Sequence, residues 1–419
     1  METSAYTQHP EVVALIDDLN NFAAAKPGGQ LTVSDVADEQ GMQYVDLVLE
    51  GGGTLGVALL GYVYVLEQMN IRFLQLAGTS AGSIVSMLLA GGGPIDAAKS
   101  EWLIREVAGK DFSDFMDGDK DVQHFMDALL DPDSKKRKIA RYSAKILDDV
   151  KEHYGLNPGL HFQEWLTGLL QAKGVYTLGD LKKMRQQTPA GLHNLRDGTP
   201  LGPERHERVA VVTAEVTTET KVVFPEMAPL YFASPDTVNP AEFVRASMSV
   251  PVLFYPYVAK NIPNTADSAA LWQQMANYRG PVPPEALFVD GGTMSNFPIA
   301  LFHKLDGPPS APTFGVKIGI DRDSFNANAS FGDFFGATLD AMMSWGDNDF
   351  IVQHPDYGQL IGFIDSGDYN WLDFSISDEG KLDLFVRGAR AAASFLKNFN
   401  WDAYKQLRAA LLDFKKTIT

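Results

Sequence analysis

Residues 44–56 read Tyr44-Val45-Asp46-Leu47-Val48-Leu49-Glu50-Gly51-Gly52-Gly53-Thr54-Leu55-Gly56, a short, mostly apolar run that enters a glycine loop. A helix-like stretch follows from Val57 to Met69, and a second strand-like run from Phe73 to Ala77. Gly78-Thr79-Ser80-Ala81-Gly82 comes next, and the helix read over Ala81 to Leu89 ends at Gly91-Gly92-Gly93-Pro94. Strand, loop and helix, twice over, open an α/β sheet.

Outward from this stretch, apolar residues at helical spacing predict an N-terminal helix over Pro10 to Ala25, broken by Lys26-Pro27-Gly28-Gly29. From Ile95 to about Lys183 the pattern turns mostly helical, with Asp-rich breaks at Asp111 to Asp121 and Asp131 to Ser134, and reads as a cap or insertion. Strand signals return at Val209 to Thr213, Thr220 to Phe224, Ala286 to Val289 and Thr313 to Ile320. Asn261 to Pro284 reads as a long loop, Asn296 to Leu305 as a helix-like run, and Phe385 to Lys416 as closing helices. The expected organisation is an N-terminal helix and linker (1–40), a core (41–305) carrying the helical insertion at about 95–185, and C-terminal strand and helices (306–419) completing the same domain.

With 45% hydrophobic and 21% charged residues, a chain of 419 residues buries a substantial core, which excludes wholesale disorder. The 35 Lys and Arg against 53 Asp and Glu give a net charge of −18, which argues against a nucleic-acid partner. Without cysteine there is no disulfide, thiol nucleophile, thiolate zinc site or iron–sulfur cluster, so chemistry falls to oxygen and nitrogen groups. Met1 to Asn21 carries four acids and no basic start before an apolar stretch, and no apolar run approaches the roughly 20 residues that cross a bilayer. A cytoplasmic location is expected, with export lacking a signal left open.

Gly51, Gly53 and Gly56 fit G-x-G-x-x-G between a strand and a helix. A dinucleotide site would also place an acid about 20 residues on to hold the ribose, and Phe73-Leu74-Gln75-Leu76-Ala77-Gly78 supplies none. The alternative is a loop whose bare N–H groups at a helix start hold a developing negative charge. Gly78-Thr79-Ser80-Ala81-Gly82 is then the accompanying nucleophile: G-x-S-x-G between strand and helix turns sharply enough to push Ser80 Oγ out at the helix N-terminus. A merely helix-capping serine is the other reading. A base for Ser80 is offered by His303 or His354, neither with a local signal, or by Asp290, which the run Phe288-Val289 delivers onto Gly291-Gly292. A carboxylate there can act directly as general base if its surroundings raise its proton affinity.

Gly51 to Gly56, Gly78 to Gly82 and Asp290-Gly291-Gly292, in this order, resemble the patatin-like phospholipase family. The likeness extends to Val209 to Pro225 and to Ala246-Ser247-Met248-Ser249-Val250-Pro251-Val252-Leu253-Phe254, and covers about Val45 to Pro298. It implies a three-layer α/β/α fold with a mostly parallel or mixed central sheet and a helical cap. It further implies a lipid acyl hydrolase of phospholipase A or lysophospholipase type, working through a Ser–Asp dyad without metal or cofactor. By position, Ser80 is nucleophile and Asp290 base. Gly51, Gly52, Gly53 and Thr54 form the oxyanion loop, with Gly78, Gly82, Gly291 and Gly292 supporting the two turns. Many members carry Arg or Lys where this chain has Leu55, so a head-group preference is not carried over.

The implied partners are a phospholipid or other acyl-ester lipid and, transiently, a membrane surface. Lys135-Lys136-Arg137-Lys138 with Arg141 is a dense basic cluster that reads either as an anionic-lipid contact or as a solvated helix start. Phe331 to Trp345 reads either as an acyl-channel lining or as core, and Asp111 to Asp133 as a candidate lid. A Ser–His–Asp esterase and a non-catalytic lipid- or nucleotide-binding protein remain the competing readings. Lipid class, oligomeric state and any activating partner are left open.

Overall fold

The computed structural model describes the chain apart from residues 120–121, 123–149, 303, 305–306, 320–337, 339–340, 342–349 and 419, and the side chains of 414–418. The basic cluster Lys135 to Arg141, His303 and the aromatic residues of Phe331 to Trp345 lie outside the described residues. So does the candidate lid beyond Asp119, Val122 excepted.

The strands in chain order are β1 (Val36–Ala37), β2 (Gln43–Leu49), β3 (Ile71–Thr79), β4 (Gly155–Asn157), β5 (His193–Asn194) and β6 (Val209–Glu215). They continue with β7 (Thr220–Phe224), β8 (Val252–Phe254), β9 (Tyr257–Lys260), β10 (Glu285–Asp290), β11 (Thr313–Gly319) and β12 (Ile361–Asp365). The main sheet runs β12-β11-β2-β3-β6-β10-β9, while β4 and β8 form a separate ribbon. From β12 to β6 every neighbouring pair is parallel, and β10 and β9 are antiparallel additions. The sheet is mixed with helices on both sides, the three-layer α/β/α arrangement expected from the sequence. Strands β2 and β6 are buried along their whole length, which is why they read as near-continuous apolar runs instead of alternating ones.

Helix Val57–Gln68 is buried on all sides except at its last residue and packs against the long helix Asp378–Asn398. Their contact depends on two glycines: a Cβ at Gly61 would strike the Phe385 carbonyl, and one at Gly388 the Ala58 carbonyl. Helices Ala81–Gly91 and Pro240–Ser247 cover β6 together. Among the described residues no helix is long and apolar enough to cross a membrane.

Three sequence expectations are corrected. The loop expected at Asn261 to Pro284 contains a helix, Ser268–Ala276, because Trp272 is buried edge-on against Tyr231 at 5.2 Å and the Ser268 hydroxyl ties the entry to Pro263 and Thr265. Among the described residues of the helix-like run Asn296 to Leu305, there is instead one 3-10 turn, Ile299–Phe302. Phe297, Ile299 and Phe302 are all buried, so the apolar spacing there marks core positions on an irregular segment. The penultimate helix starts seven residues before Phe385, capped by Ser377, whose hydroxyl accepts from the Gly380 amide at 3.1 Å.

Candidate active site

The pairing pattern around β6 brings the two chemical motifs together. One edge of β6 is taken by its hairpin partner β7 along Val211 to Glu215. On the other edge β3 runs parallel, with Thr79 opposite Val212, and β10 runs antiparallel, with Asp290 opposite Thr213. Strands β3 and β10 therefore approach each other end to end on the same edge. Ser80 follows the last residue of β3, and Asp290 is the last residue of β10. Two cross-links hold the junction: Thr79 Oγ1 donates to Ser295 O and Thr213 Oγ1 to Val289 O, each at 2.9 Å.

Ser80 sits at φ 49°, ψ −122°, a region that costs a non-glycine residue of order 1–3 kcal/mol. Small neighbours allow the turn. A Cβ at Gly78 would collide with the backbone of Gly82 and Ser83, and one at Gly82 with the carbonyls of Leu49 and Glu50. The Ser80 carbonyl starts the helix by accepting from Ser83 N at 2.9 Å and Ile84 N at 3.2 Å. The side chain thus stands at the positive end of Ala81–Gly91, where an alkoxide is favoured.

Asp290 is 1% exposed. Its Oδ1 accepts the Gly292 amide at 2.8 Å, while Oδ2 is buried with no formed hydrogen bond. Burial pushes its proton affinity up to about 6, opposed by the Ser80 hydroxyl and the Gly292 amide. Gly291 is required by packing, since a Cβ there would strike the Val212 carbonyl.

The glycine loop lies beside Ser80: a Cβ at Gly51 would come within 3.2 Å of the Ser80 Cβ. Its four amides are not equivalent. Gly51 N donates to Asn296 O at 3.1 Å and Thr54 N to Trp371 O at 3.0 Å, so both are committed. This narrows the expected donors to the amides of Gly52 and Gly53. Gly53 has φ +52° and a Cβ there would strike the Trp371 carbonyl, so glycine is needed on both counts. Upstream, Glu50 anchors the loop to β11 through Lys317 Nζ at 2.6 Å and Ile318 N at 2.7 Å.

From Ser80 an apolar cavity of about 680 Å³, counting its open mouth, runs inward. Ile84, Val85, Val107, Met248 and Val250 form its walls, and Phe112, Phe115, Phe162 and Trp165 form an aromatic cluster with Phe115 5.3 Å from Phe162 and 5.2 Å from Trp165. Trp371, Leu372 and Phe374 close it from the C-terminal part of the chain. Among the described residues, Thr54 and Ser80 contribute the only hydroxyls to this lining and no charged side chain lines it. Nor does a described histidine. His354 is engaged elsewhere, with Nδ1 on Phe350 O at 3.0 Å and its ring stacked on Phe350 at 4.3 Å.

Sequence reasoning missed the segment behind the pair. Ser80 N donates to Ser247 Oγ at 2.9 Å, and Asp290 N donates to Ser249 O at 2.8 Å. The run Ala246 to Phe254 was noticed for its resemblance, but nothing in it announces which strand ends its serines meet.

Comparison with known proteins identifies the family. The family model described as patatin-like phospholipase matches residues 47–303. Over 363 residues the chain is 31% identical to an uncharacterized protein, YqhO, of Bacillus subtilis (strain 168), a match covering 85% of this chain and all of that one. The chain therefore belongs to the patatin-like phospholipase family, a family of lipid acyl hydrolases. Among solved structures, VipD from Legionella pneumophila is similar at 16% identity and a TM-score of 0.41, over 88% of this chain and 70% of that one. The type III effector protein ExoU is similar at 15% identity and a TM-score of 0.33, over 87% and 55%.

Proposed function

We propose that this protein is a carboxylic ester hydrolase of phospholipase A or lysophospholipase type, working through a Ser80–Asp290 dyad and an acyl-serine intermediate. The observation that carries the reading is the meeting of the strained Ser80 with the buried Asp290 at the head of an apolar cavity. A carboxyl group with proton affinity near 6 is ionised at neutral pH yet basic enough to receive a serine proton in the transition state.

In the proposed sequence, Asp290 takes the hydroxyl proton as Ser80 Oγ bonds to the ester carbonyl carbon. The carbonyl oxygen becomes an oxyanion held by the Gly52 and Gly53 amides and the helix N-terminus. Collapse breaks the carbon–oxygen bond to the alcohol, which leaves with the proton returned by Asp290. Water then gives a proton to Asp290 and bonds through its oxygen to the acyl carbon; collapse breaks the bond to Ser80 Oγ, which takes the proton back from Asp290, and the fatty acid leaves. The acyl chain lies in the aromatic cavity, and the polar head remains outside it. Contact with a membrane surface brings the substrate to the mouth.

Release of fatty acid from mixed phospholipid and lysophospholipid vesicles, measured for wild type, Ser80→Ala and Asp290→Asn, tests the reading. Both variants are expected to lose at least 10³-fold in kcat, in line with removing a nucleophile or its base. Turnover retained in Asp290→Asn would overturn the dyad and return attention to a histidine.

A further inference from the structure

Residues 245–249 join Pro240–Ser247 to the loop before β8, and their backbone and side chains contact both halves of the candidate pair. Ser247 Oγ accepts from the Ser80 amide at 2.9 Å and donates to Val212 O, on β6, at 2.6 Å. Two residues on, the Ser249 carbonyl accepts from the Asp290 amide at 2.8 Å. Arg245 fixes this span from beneath: Nη1 donates to Ser249 Oγ at 2.5 Å, and Nη2 to Pro158 O at 2.6 Å and Tyr255 O at 2.9 Å. Ser247 and Ser249 are fully buried and Arg245 nearly so. The Ser80 amide would otherwise point into a dry interior, where an unpaired donor costs about 1–3 kcal/mol. Its partner could have been any backbone carbonyl. That it is a side chain two residues before the carbonyl that holds Asp290 means that nucleophile and base are referenced to one short piece of chain.

We propose that Ser247, Ser249 and Arg245 are positioning residues, a bracket that sets the separation of Ser80 and Asp290 from behind. The proposal rests on the Ser–Asp reading above. Ser247 is its most specific member, because its hydroxyl bonds both the Ser80 amide and the Val212 carbonyl of β6. Removing it frees a strained residue to relax about its own φ and ψ, and displacement of the nucleophile by a fraction of an ångström to one ångström reduces rate by up to about 10²-fold without altering the cavity that binds the acyl chain.

The test compares Ser247→Ala, Ser247→Cys and a matched control, Ser86→Ala. Ser86 is equally buried and donates to Ala77 O at 2.9 Å; it lies in the helix that Ser80 starts, and that bond reaches neither Ser80 nor Asp290. Melting temperature, kcat and KM on a soluble long-chain ester, and labelling by a fluorophosphonate probe are measured for each. Ser247→Ala is expected to lower kcat at least tenfold with KM within about twofold, and to slow labelling in parallel. Ser247→Cys, which keeps a weak acceptor in place, should fall between it and wild type. Ser86→Ala should melt earlier with kcat unchanged. The bracket is overturned if wild type labels at Ser80 while Ser247→Ala keeps its kcat, or loses no more of it than Ser86→Ala does. Wild type that neither labels nor turns over would instead overturn the Ser–Asp reading itself.

Discussion

Asp290 carries opposite demands of stability and chemistry. An unfolded aspartate titrates near 3.9, and burial raises this one to about 6, so between these values the folded chain binds the proton more readily than the unfolded one. Stability contributed at this residue is therefore highest below about pH 4 and falls as pH rises through 6, by roughly 3 kcal/mol in all. An asparagine carries no charge to bury and retains an oxygen for the Gly292 amide. Asp290→Asn is thus expected to be more stable than wild type at pH 7–8, with the gap closing toward pH 4, as read from denaturant midpoints across that range. A gap that is absent or grows on acidification would contradict the burial argument. The same titration gives kcat/KM an acid limb near pH 6, since a protonated Asp290 cannot accept the serine proton.

At the scale of elements, the helix pair Val57–Gln68 and Asp378–Asn398 is closed by Gly61 and Gly388, each facing a backbone carbonyl that cannot rotate away. Gly388→Ala is expected to destabilise by about 1–3 kcal/mol despite alanine's better helix propensity. Gly358→Ala, where nothing lies within 4 Å of the new Cβ, provides the comparison. Equal melting temperatures for the two variants would show that the helices part without penalty. The strands β2, β3 and β10 and the turns after them were legible because each is marked by an apolar run and then glycine where a Cβ has no room, and β6 was legible from its apolar run alone. Helix Ser268–Ala276 was not, since its Asn, Pro and Gly neighbours mask a segment held by one buried tryptophan. The start of helix Asp378–Asn398 was not legible either, because a serine cap and acids mark its first two turns before any apolar period begins.

For the whole molecule, what the sequence could not disclose is whatever depends on contact across long separations. Ser247 reaches Ser80 over 167 residues, and the cavity takes its walls from the glycine loop, the first helical stretch, the segment after Ser247 and the C-terminal Trp371 to Phe374. Apart from the glycine loop, none of these pieces is distinguishable from ordinary core by its own composition. The motifs at the strand ends were readable, while the approach of β3 and β10 on one edge of β6 follows only from the register. The most direct measurement is the intact mass of the protein quenched during turnover of a long-chain ester, followed by peptide mapping. The account predicts an added mass equal to the acyl group, carried on the peptide containing Ser80 and absent in Ser80→Ala. Steady turnover through an adduct on any other residue, or an adduct that persists in Ser80→Ala, would contradict it.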